Sequence, residues 1–445
     1  MVDLRCIRVT ERAPGSGPEW TLTAGGDFCI IDRLRSTEGA EDGVRQAITE
    51  ELHELVAGAD VAIANMEGPI RTCSAPISKS GPAIQMDTAG PFVLKRMGFD
   101  VVSLANNHIM DYGVQGLVST VEACRREGLL TSGAGNDEHE AMKPAEVVIA
   151  GRIRVSILAF CEREFGVAEG GQPGSAWISH PQALERVTEA AETADVVVVL
   201  AHGGVEEVPF SPVQRSTQLR QFIDAGATLV IGHHPHVPQG WETYQKGMIF
   251  YSLGNFLFDY PGGARYPKTE WGLVIQAHFC GSVLSEVELV PVGSLADRCV
   301  GRLQENRNLE RYLRYLHRLS DLLAEPDAVI PYWQETAVHL WMTRYWPWLL
   351  HACGAKTSVS ADSVRFHLSG LYRGVRRRIG WRHKRNQSTR VSGIDEGLLL
   401  LNMTRNESHR WTIETALAVL HGDVLDRRTP EIRSEVGDLL TWTEG

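Results

Sequence analysis

The sequence contains no CxxC pair and no close cluster of cysteines, although it has eight cysteines in 445 residues. They are scattered along the chain as Cys6, Cys29, Cys73, Cys124, Cys161, Cys280, Cys299 and Cys353. Scattered cysteines in a long chain are typical of reduced thiols and do not indicate a disulfide framework. We therefore expect a cytoplasmic protein.

Long hydrophobic runs are also missing. Residues Met1 to Arg12 alternate charged and apolar side chains, which is unlike a signal peptide. No stretch approaches the roughly 20 apolar residues that a membrane helix requires. The most hydrophobic later region, Ala337 to Cys353, is interrupted by Arg344 and Pro347. We expect no integral membrane segment.

The chain has no net positive charge, since its formal charge is −11. Nucleic-acid binding requires basic surface, so we expect no nucleic-acid partner. Residues 1–300 contain 23 basic and 38 acidic side chains, whereas residues 301–445 contain 21 and 17. This change predicts one domain over residues 1–300 and a mostly helical, Trp-rich and basic accessory region over residues 301–445.

The order of apolar segments predicts the fold class. Strands are expected at Thr21–Ala24, Val61–Ala64, Val101–Leu104, Val155–Phe160, Val196–Leu200 and Leu229–Ile231, and helices at Gly43–Val56, Val114–Gly128, Pro181–Ala191 and Pro212–Ala225. Three successive strands without long helices are expected at Met248–Tyr251, Gly272–His278 and Val283–Val290. Alternating elements followed by strands alone predict an α/β protein with mixed sheets flanked by helices.

Polar clusters follow five of these strands. They are Gly26-Asp27, Asn65-Met66-Glu67-Gly68, Asn106-Asn107-His108 with Asp111, His202-Gly203-Gly204-Val205-Glu206, and Gly232-His233-His234-Pro235-His236. In open α/β sheets, ligand sites form at the carboxyl ends of strands. Carboxylates, amide oxygens and imidazoles are ligands for divalent metals, and these loops hold enough of them for two ions.

Each cluster has an ordinary structural interpretation as well. A Gly-Asp pair after a strand is usually a turn, and asparagines are common helix caps. A single histidine such as His202 is more often part of a core. The three histidines between His233 and His236 are harder to explain in this way. Five polar loops in chain order, each at a strand end, favour a metal site over coincidence.

The five motifs, in this order, resemble the CapA family, which is named for poly-γ-glutamate capsule synthesis. The segment Ile249-Phe250-Tyr251-Ser252-Leu253-Gly254-Asn255-Phe256 resembles the closing motif of that family. The resemblance covers roughly Thr21 to Val292. It implies the calcineurin-like metallophosphatase fold, with sheets flanked by helices.

The resemblance also implies roles for individual residues. The metal ligands would be Asp27, Glu67, Asn107, His202, His234 and His236, and they would hold divalent ions, expected to be two, of Mn, Zn or Fe. Asp27 and His236 would hold one ion and Asn107, His202 and His234 the other, with Glu67 between them. The broader phosphatase fold has a histidine two residues after the first aspartate and a bridging aspartate. Here those positions are Cys29 and Glu67, a departure that CapA-like sequences share.

His108 would contact substrate or donate a proton, with Asp111 fixing its orientation. Two consecutive side chains after a buried strand diverge, so Asn107 and His108 are not both expected on one ion. Asn65, Glu206, His233 and Asn255 are predicted substrate contacts.

Three functions remain open from the sequence. The first is a metal-dependent hydrolase, with two metal ions, of a phosphoester or a γ-glutamyl-type amide. The second is a bond-forming component of polymer or natural-product synthesis that uses the same site. The third is a scaffold without catalysis, which the full ligand set disfavours. The substrate would be an anionic small molecule or oligomer, and the oligomeric state is left open.

Residues 301–445 contain seven of the 11 tryptophans. Packing of helices against the first domain is the favoured explanation, and a substrate cleft or a membrane surface is the alternative. The basic run from Arg373 to Arg385 is usually a solvated face, although it would also suit capture of a polyanion. We expect this region to border the ligand loops.

Overall fold

A computed structural model describes residues 6–8, 17–31, 47–259, 269–294, 300–303, 307–352 and 392–441. The basic run from Arg373 to Arg385 lies outside these residues, so its role stays a prediction. No helix within the described ranges is long and apolar enough to cross a membrane.

Two mixed sheets form the body of the protein. In chain order the strands are β1 (Cys6–Arg8), β2 (Glu19–Cys29), β3 (Val61–Met66), β4 (Val101–Ser103), β5 (Leu130–Ser132), β6 (Ala134–Gly135), β7 (Ala145–Ile149), β8 (Ile153–Cys161), β9 (Gly174–Ser175), β10 (Val196–His202), β11 (Leu229–His233), β12 (Trp241–Tyr244), β13 (Gly247–Phe250), β14 (Asn255–Phe258), β15 (Trp271–Cys280), β16 (Val283–Ser294) and β17 (Val300–Arg302). The first sheet has the order β1-β16-β15-β2-β3-β4-β5, and the second β12-β13-β11-β10-β8-β7. Strands β2 to β5 are parallel, as are β8, β10, β11 and β13.

Helices cover both sheets. They are α1 (Glu50–Ala57), α2 (Gly90–Arg96), α3 (Gly113–Arg126), α4 (Glu138–Ala141), α5 (Ala183–Thr193), α6 (Val213–Asp224), α7 (Arg307–Ala324), α8 (Pro326–Leu340), α9 (Trp346–Ala352), α10 (Ser392–Arg405), α11 (Glu407–His421) and α12 (Pro430–Thr441). A π-helical turn, Trp341–Tyr345, joins α8 to α9. The prediction of mixed sheets flanked by helices, with a helical C-terminal region, is therefore confirmed.

Alternation along the strands explains the layers. In β3, Val61 and Ile63 face a core shared with the second sheet, whereas Ala62 and Ala64 face the helices outside. Successive strand residues point to opposite faces, so a strand that is buried on both faces reads as a continuous apolar run. This is why the strands that carry the site were visible in the sequence.

Some element boundaries differ from the expected ones. Of the expected helix Gly43–Val56, residues 43–46 lie outside the described residues, α1 covers Glu50–Ala57, and Thr49 before it is extended. The leucine spacing of Leu303–Leu323 predicts a helix there, whereas helix α7 begins at Arg307. Leu303 instead follows strand β17, and its backbone N–H donates to the carbonyl oxygen of Pro291. Neither difference moves a predicted site residue.

Candidate metal centre

The carboxyl ends of β2, β3, β10 and β11 bring the predicted ligands together. Asp27 lies within the end of β2, and Glu67 directly follows β3. His202 is the last residue of β10, and His234 follows β11. Strands β2 and β3 belong to the first sheet and β10 and β11 to the second, and the carboxyl ends of the two pairs lie side by side. Side chains from distant parts of the chain therefore meet there.

Asp27 is buried and anchored from several directions. Its Oδ1 accepts a hydrogen bond from Nδ2 of Asn65 at 2.8 Å, and its Oδ2 accepts one from the backbone N–H of His234 at 3.1 Å. Oδ2 also lies 3.4 Å from Nδ1 of His236. The carboxylate is thus fixed in place and faces the histidine loop.

Glu67 lies at the centre of the cluster. Its Oε1 lies 3.6 Å from Nε2 of His236, 3.8 Å from Nε2 of His202 and 3.9 Å from Nε2 of His108. Neither carboxylate oxygen has a hydrogen-bond partner among the described residues. Burial raises the pKa of Glu67 well above its ordinary value, and the nearby charge of Asp27 adds to the shift.

A buried carboxylate without hydrogen bonds is costly, and it usually indicates a missing cation or solvent. Two groups of ligand atoms lie within 4.8 Å of one another: Glu67 with His234 and His236, and Glu67 with Asp27 and His202. Glu67 is common to both, as expected of a bridging ligand. Carboxylates with imidazoles are the donor set of borderline transition metals, so these residues fit divalent ions of that class.

Asn107 and His202 point at the same space. Oδ1 of Asn107 lies 3.1 Å from Nε2 of His202, while Nδ2 of Asn107 donates to Oε2 of Glu164 at 3.0 Å. Burial lowers the pKa of His202 well below its ordinary value, and His234 is the next cause. A neutral imidazole is the form that a metal binds.

His108 diverges from Asn107, as predicted for consecutive side chains. Its Nδ1 lies 2.7 Å from Oδ2 of Asp111, and Nζ of Lys79 lies 3.2 Å from the same nitrogen and 2.6 Å from Oδ1 of Asp111. Burial lowers the pKa of His108, with Lys79 as the next cause, whereas Asp111 opposes the shift. The ring is held by Nδ1, and Nε2 faces Glu67.

Two of the histidines have unusual backbones. His234 has φ of +97° and His236 has φ of +57°, both in the left-handed region that residues with a side chain seldom adopt. Such strain persists only where the surroundings enforce it and is concentrated at functional sites. The turn between β11 and Pro238 thus directs both rings towards Glu67.

The predicted substrate contacts fall into two groups. Asn65 and Asn255 touch predicted ligands: Nδ2 of Asn65 bonds Asp27, and Oδ1 of Asn255 lies 2.9 Å from Nδ1 of His236. His233 is buried, with Nε2 3.3 Å from the carbonyl oxygen of Gly25. Glu206 has an exposed side chain in the loop after β10. Of the four, only Glu206 has an exposed side chain. The role of each in binding substrate stays a prediction.

Sequence reasoning missed several polar residues around the centre. These are Lys79, Glu162, Glu164, Arg215, Asn406 and Ser408. Glu162 follows β8, an apolar strand predicted from the sequence, so the same strand-end rule would have found it. Lys79 lies in a loop without periodic pattern, and Asn406 is distant in sequence, so neither carried a local signal.

Comparison of the sequence with known proteins identifies the family. The sequence model for the bacterial capsule synthesis protein PGA_cap matches residues 21–260, more than half of the chain. The chain is 31% identical over 268 residues to the PGA biosynthesis protein CapA of Bacillus subtilis, covering 59% of this chain and 67% of that relative. It therefore belongs to the PGA_cap family of capsule synthesis proteins.

Other similar proteins include the capsule biosynthesis protein CapA of Bacillus anthracis, 34% identical over 206 residues, which are 45% of this chain and 49% of the relative. A probable polyglutamine synthesis accessory protein of Mycobacterium tuberculosis is 29% identical over 216 residues, 46% of this chain and 57% of the relative. The chain thus spans about half to two thirds of these relatives. Among solved structures, a 5′-nucleotidase from Candida albicans matches with a TM-score of 0.37 and 12% identity, covering 70% of this chain and 60% of that one.

Proposed function

We propose that this protein is a metal-dependent hydrolase that cleaves γ-glutamyl-type amide bonds in an anionic oligomer. The observation that carries the proposal is Glu67, whose two buried oxygens have no hydrogen bond among the described residues and face three imidazoles. Such a group is stable only when a cation or protons neutralise it. The names of the relatives, which refer to PGA biosynthesis, supply the substrate class.

The chain's own residues have separable tasks. Asp27, Glu67, Asn107, His202, His234 and His236 would hold the divalent ions. Divalent ions held there supply Lewis acidity towards a carbonyl or phosphoryl oxygen.

His108 is the proton carrier. Asp111 accepts from Nδ1 of His108 and so fixes the ring, while Lys79 compensates the charge of Asp111. Nε2 of His108 is left to hold a proton and give it to the leaving amine. Glu206, exposed beside the histidine loop, is the remaining candidate for contact with substrate.

A bond-forming reaction is the second candidate, because the family description and the relatives' names refer to synthesis. Ions held by the same ligands would supply Lewis acidity to an acyl phosphate, from which phosphate would leave as an amine forms the new amide bond. A phosphoester substrate suits the donor set equally, since fold and ligands do not fix the substrate. The cytoplasmic location also stays a prediction.

The test is elemental analysis of the purified protein, followed by parallel assays on γ-glutamyl oligomers and on a phosphodiester. We expect bound Mn, Zn or Fe and turnover of the γ-glutamyl substrate. Asp27→Asn should lose metal and activity. The control Asp224→Asn, at an exposed position on α6, should keep both. Absence of bound transition metal together with no response to added metal contradicts the proposal.

A further inference from the structure

A buried polar network joins the C-terminal helices to the metal centre through a loop outside the five motifs. The loop follows β8 and carries Glu162 and Glu164. On one side these carboxylates contact predicted metal ligands, and on the other they contact Asn406 and Ser408 at the start of α11.

Glu164 determines which way the Asn107 amide faces. An asparagine side chain can rotate so that its oxygen and nitrogen exchange places, and only the oxygen binds a metal. A carboxylate is an acceptor only, so Oε2 of Glu164 selects Nδ2 of Asn107 at 3.0 Å. Oδ1 of Asn107 is then left facing Nε2 of His202.

Glu162 is held by four donors. Its Oε1 accepts from Nδ2 of Asn406 at 2.9 Å and from the backbone N–H of Gly204 at 3.3 Å. Its Oε2 accepts from Oγ of Ser408 at 2.7 Å and from Nη2 of Arg215. Oε1 also lies 4.0 Å from Nε2 of His234. This buried carboxylate thus supports the loop between β10 and α6 as well as a predicted ligand.

Asn406 connects α11 to both carboxylates. Its Oδ1 accepts from the backbone N–H of His409 and caps the helix, which leaves Nδ2 to donate to Glu162 and, at 3.4 Å, to Oε1 of Glu164. The side chains of Asn406 and Ser408 are fully buried. Their burial places the network inside the molecule, where hydrogen bonds are least exposed to competition from water.

We infer that Glu164 is a positioning residue for the metal ligand Asn107, and that α11 of the C-terminal region supports it through Asn406. The inference rests on the proposed metal centre. Partners that orient metal ligands typically change metal affinity about 10- to 100-fold when removed. The C-terminal helices are therefore part of the metal centre as well as a cover for the sheets.

The experiment measures binding of Co²⁺ alone to the full chain, by titration and by visible absorption. Glu164→Ala should raise the Kd for Co²⁺ about 10- to 100-fold and change the absorption bands, because the amide oxygen of Asn107 is no longer held. Glu164→Gln keeps an acceptor oxygen for Asn107 and should restore most of the affinity. A purely structural role of Glu164 would leave the spectrum unchanged.

Asn406→Ser tests the contribution of α11. Serine caps a helix about as well as asparagine, so the helix is kept while the amide donor is lost. We expect the Kd for Co²⁺ to rise several-fold. Thr415→Ala is the matched control, since it removes a hydrogen bond from Trp333 of α8 to the same helix without touching Glu162 or Glu164. It should leave the Kd unchanged.

The outcomes separate this inference from the proposed function. If the parent chain binds Co²⁺ and Asp27→Asn abolishes binding, while Glu164→Ala keeps the parent Kd and spectrum, the inference is wrong and the metal centre stands. An equal loss of affinity in Asn406→Ser and Thr415→Ala also overturns the role of α11. If the parent chain binds no Co²⁺, the proposed function fails first.

Discussion

At the scale of single residues, Glu67 carries a stability cost that a bound cation would offset. A buried polar atom without a hydrogen bond costs about 1–3 kcal/mol, and more if it is charged. Both oxygens of Glu67 are in this state, and Asp27 lies close enough to raise its pKa further. In the metal-free protein this carboxylate opposes folding, so its presence is better explained by function than by packing.

We predict that Glu67→Gln stabilises the metal-free protein by about 1–3 kcal/mol, because an amide of nearly the same shape requires neither a buried charge nor the uptake of a proton. The same substitution should reduce the stabilisation that added metal gives. Urea unfolding with chelator and with Mn²⁺ measures both effects. Glu242→Gln is the control: Glu242 is also buried but accepts hydrogen bonds from Arg220 and Tyr251, so loss of its charge should destabilise the protein. Destabilisation of similar size in both variants would contradict this explanation.

Asn107 and His108 are adjacent in sequence but face different partners, and their removal should have different effects. Asn107→Ala should lower metal content, since it removes a ligand oxygen. His108→Ala should leave metal content nearly intact and reduce turnover about 100- to 10,000-fold, as expected for loss of a proton donor. Metal stoichiometry and kcat, measured side by side, distinguish the two. Equal loss of metal in both variants would show that His108 is a ligand.

At the scale of elements, two buried tyrosines of helix α7 bond to the backbone near the two sheets. The hydroxyl of Tyr312 donates to the carbonyl oxygen of Gly272 at 2.8 Å, and that of Tyr315 donates to the carbonyl oxygen of Pro238 at 2.7 Å. Pro238 ends the turn that carries the ligand histidines. The helix therefore fixes the segment on which His234 and His236 depend.

We predict that Tyr315→Phe lowers the free energy of unfolding by about 1–3 kcal/mol, because it leaves a buried carbonyl oxygen without its donor. Tyr312→Phe should have a similar effect. Tyr244→Phe, at a half-buried position away from these contacts, is the control and should change stability by less than about 0.5 kcal/mol. The measurement is urea unfolding of the three variants. A Tyr315→Phe variant as stable as the control would show that the hydrogen bond contributes little.

The elements that the sequence predicted are those with a local signal. Strands such as β3 and β10 are buried on both faces and appear as short apolar runs, and polar residues directly after them mark the ligand loops. The network around Glu162 and Asn406 depends on contacts between residues 244 positions apart, for which no periodicity exists. Glu164 and Lys79 lie in segments whose composition is that of ordinary solvated loops. Only the folded chain shows that Glu164 contacts Asn107 and that Lys79 contacts His108.

At the scale of the whole molecule, one hydrophobic core extends across the predicted boundary at residue 300. It joins inward-facing strand residues such as Leu200 and Ile231 with Tyr312, Leu316 and Trp333 of the C-terminal helices. A core shared in this way couples the folding of the elements that line it. The division into two regions, residues 1–300 and 301–445, stays a prediction made from composition. The shared core favours unfolding of both regions in one cooperative transition.

Unfolding of the metal-loaded protein tests whether the two regions form one unit. A ligand that binds only the folded state at 100 times its Kd adds about 2.7 kcal/mol to the stability of every element that unfolds with the site. If the C-terminal helices share the core, calorimetry should show a single transition that moves as a whole to higher temperature when Mn²⁺ is added. In Asp27→Asn, which lacks a ligand, the transition should stay single and should not move. Two transitions, of which only one responds to Mn²⁺, would show that the C-terminal region folds independently. In that case Asn406 could affect metal affinity only while α11 is folded. The effect of Asn406→Ser on metal affinity should then disappear at temperatures that unfold α11 but leave the metal centre folded.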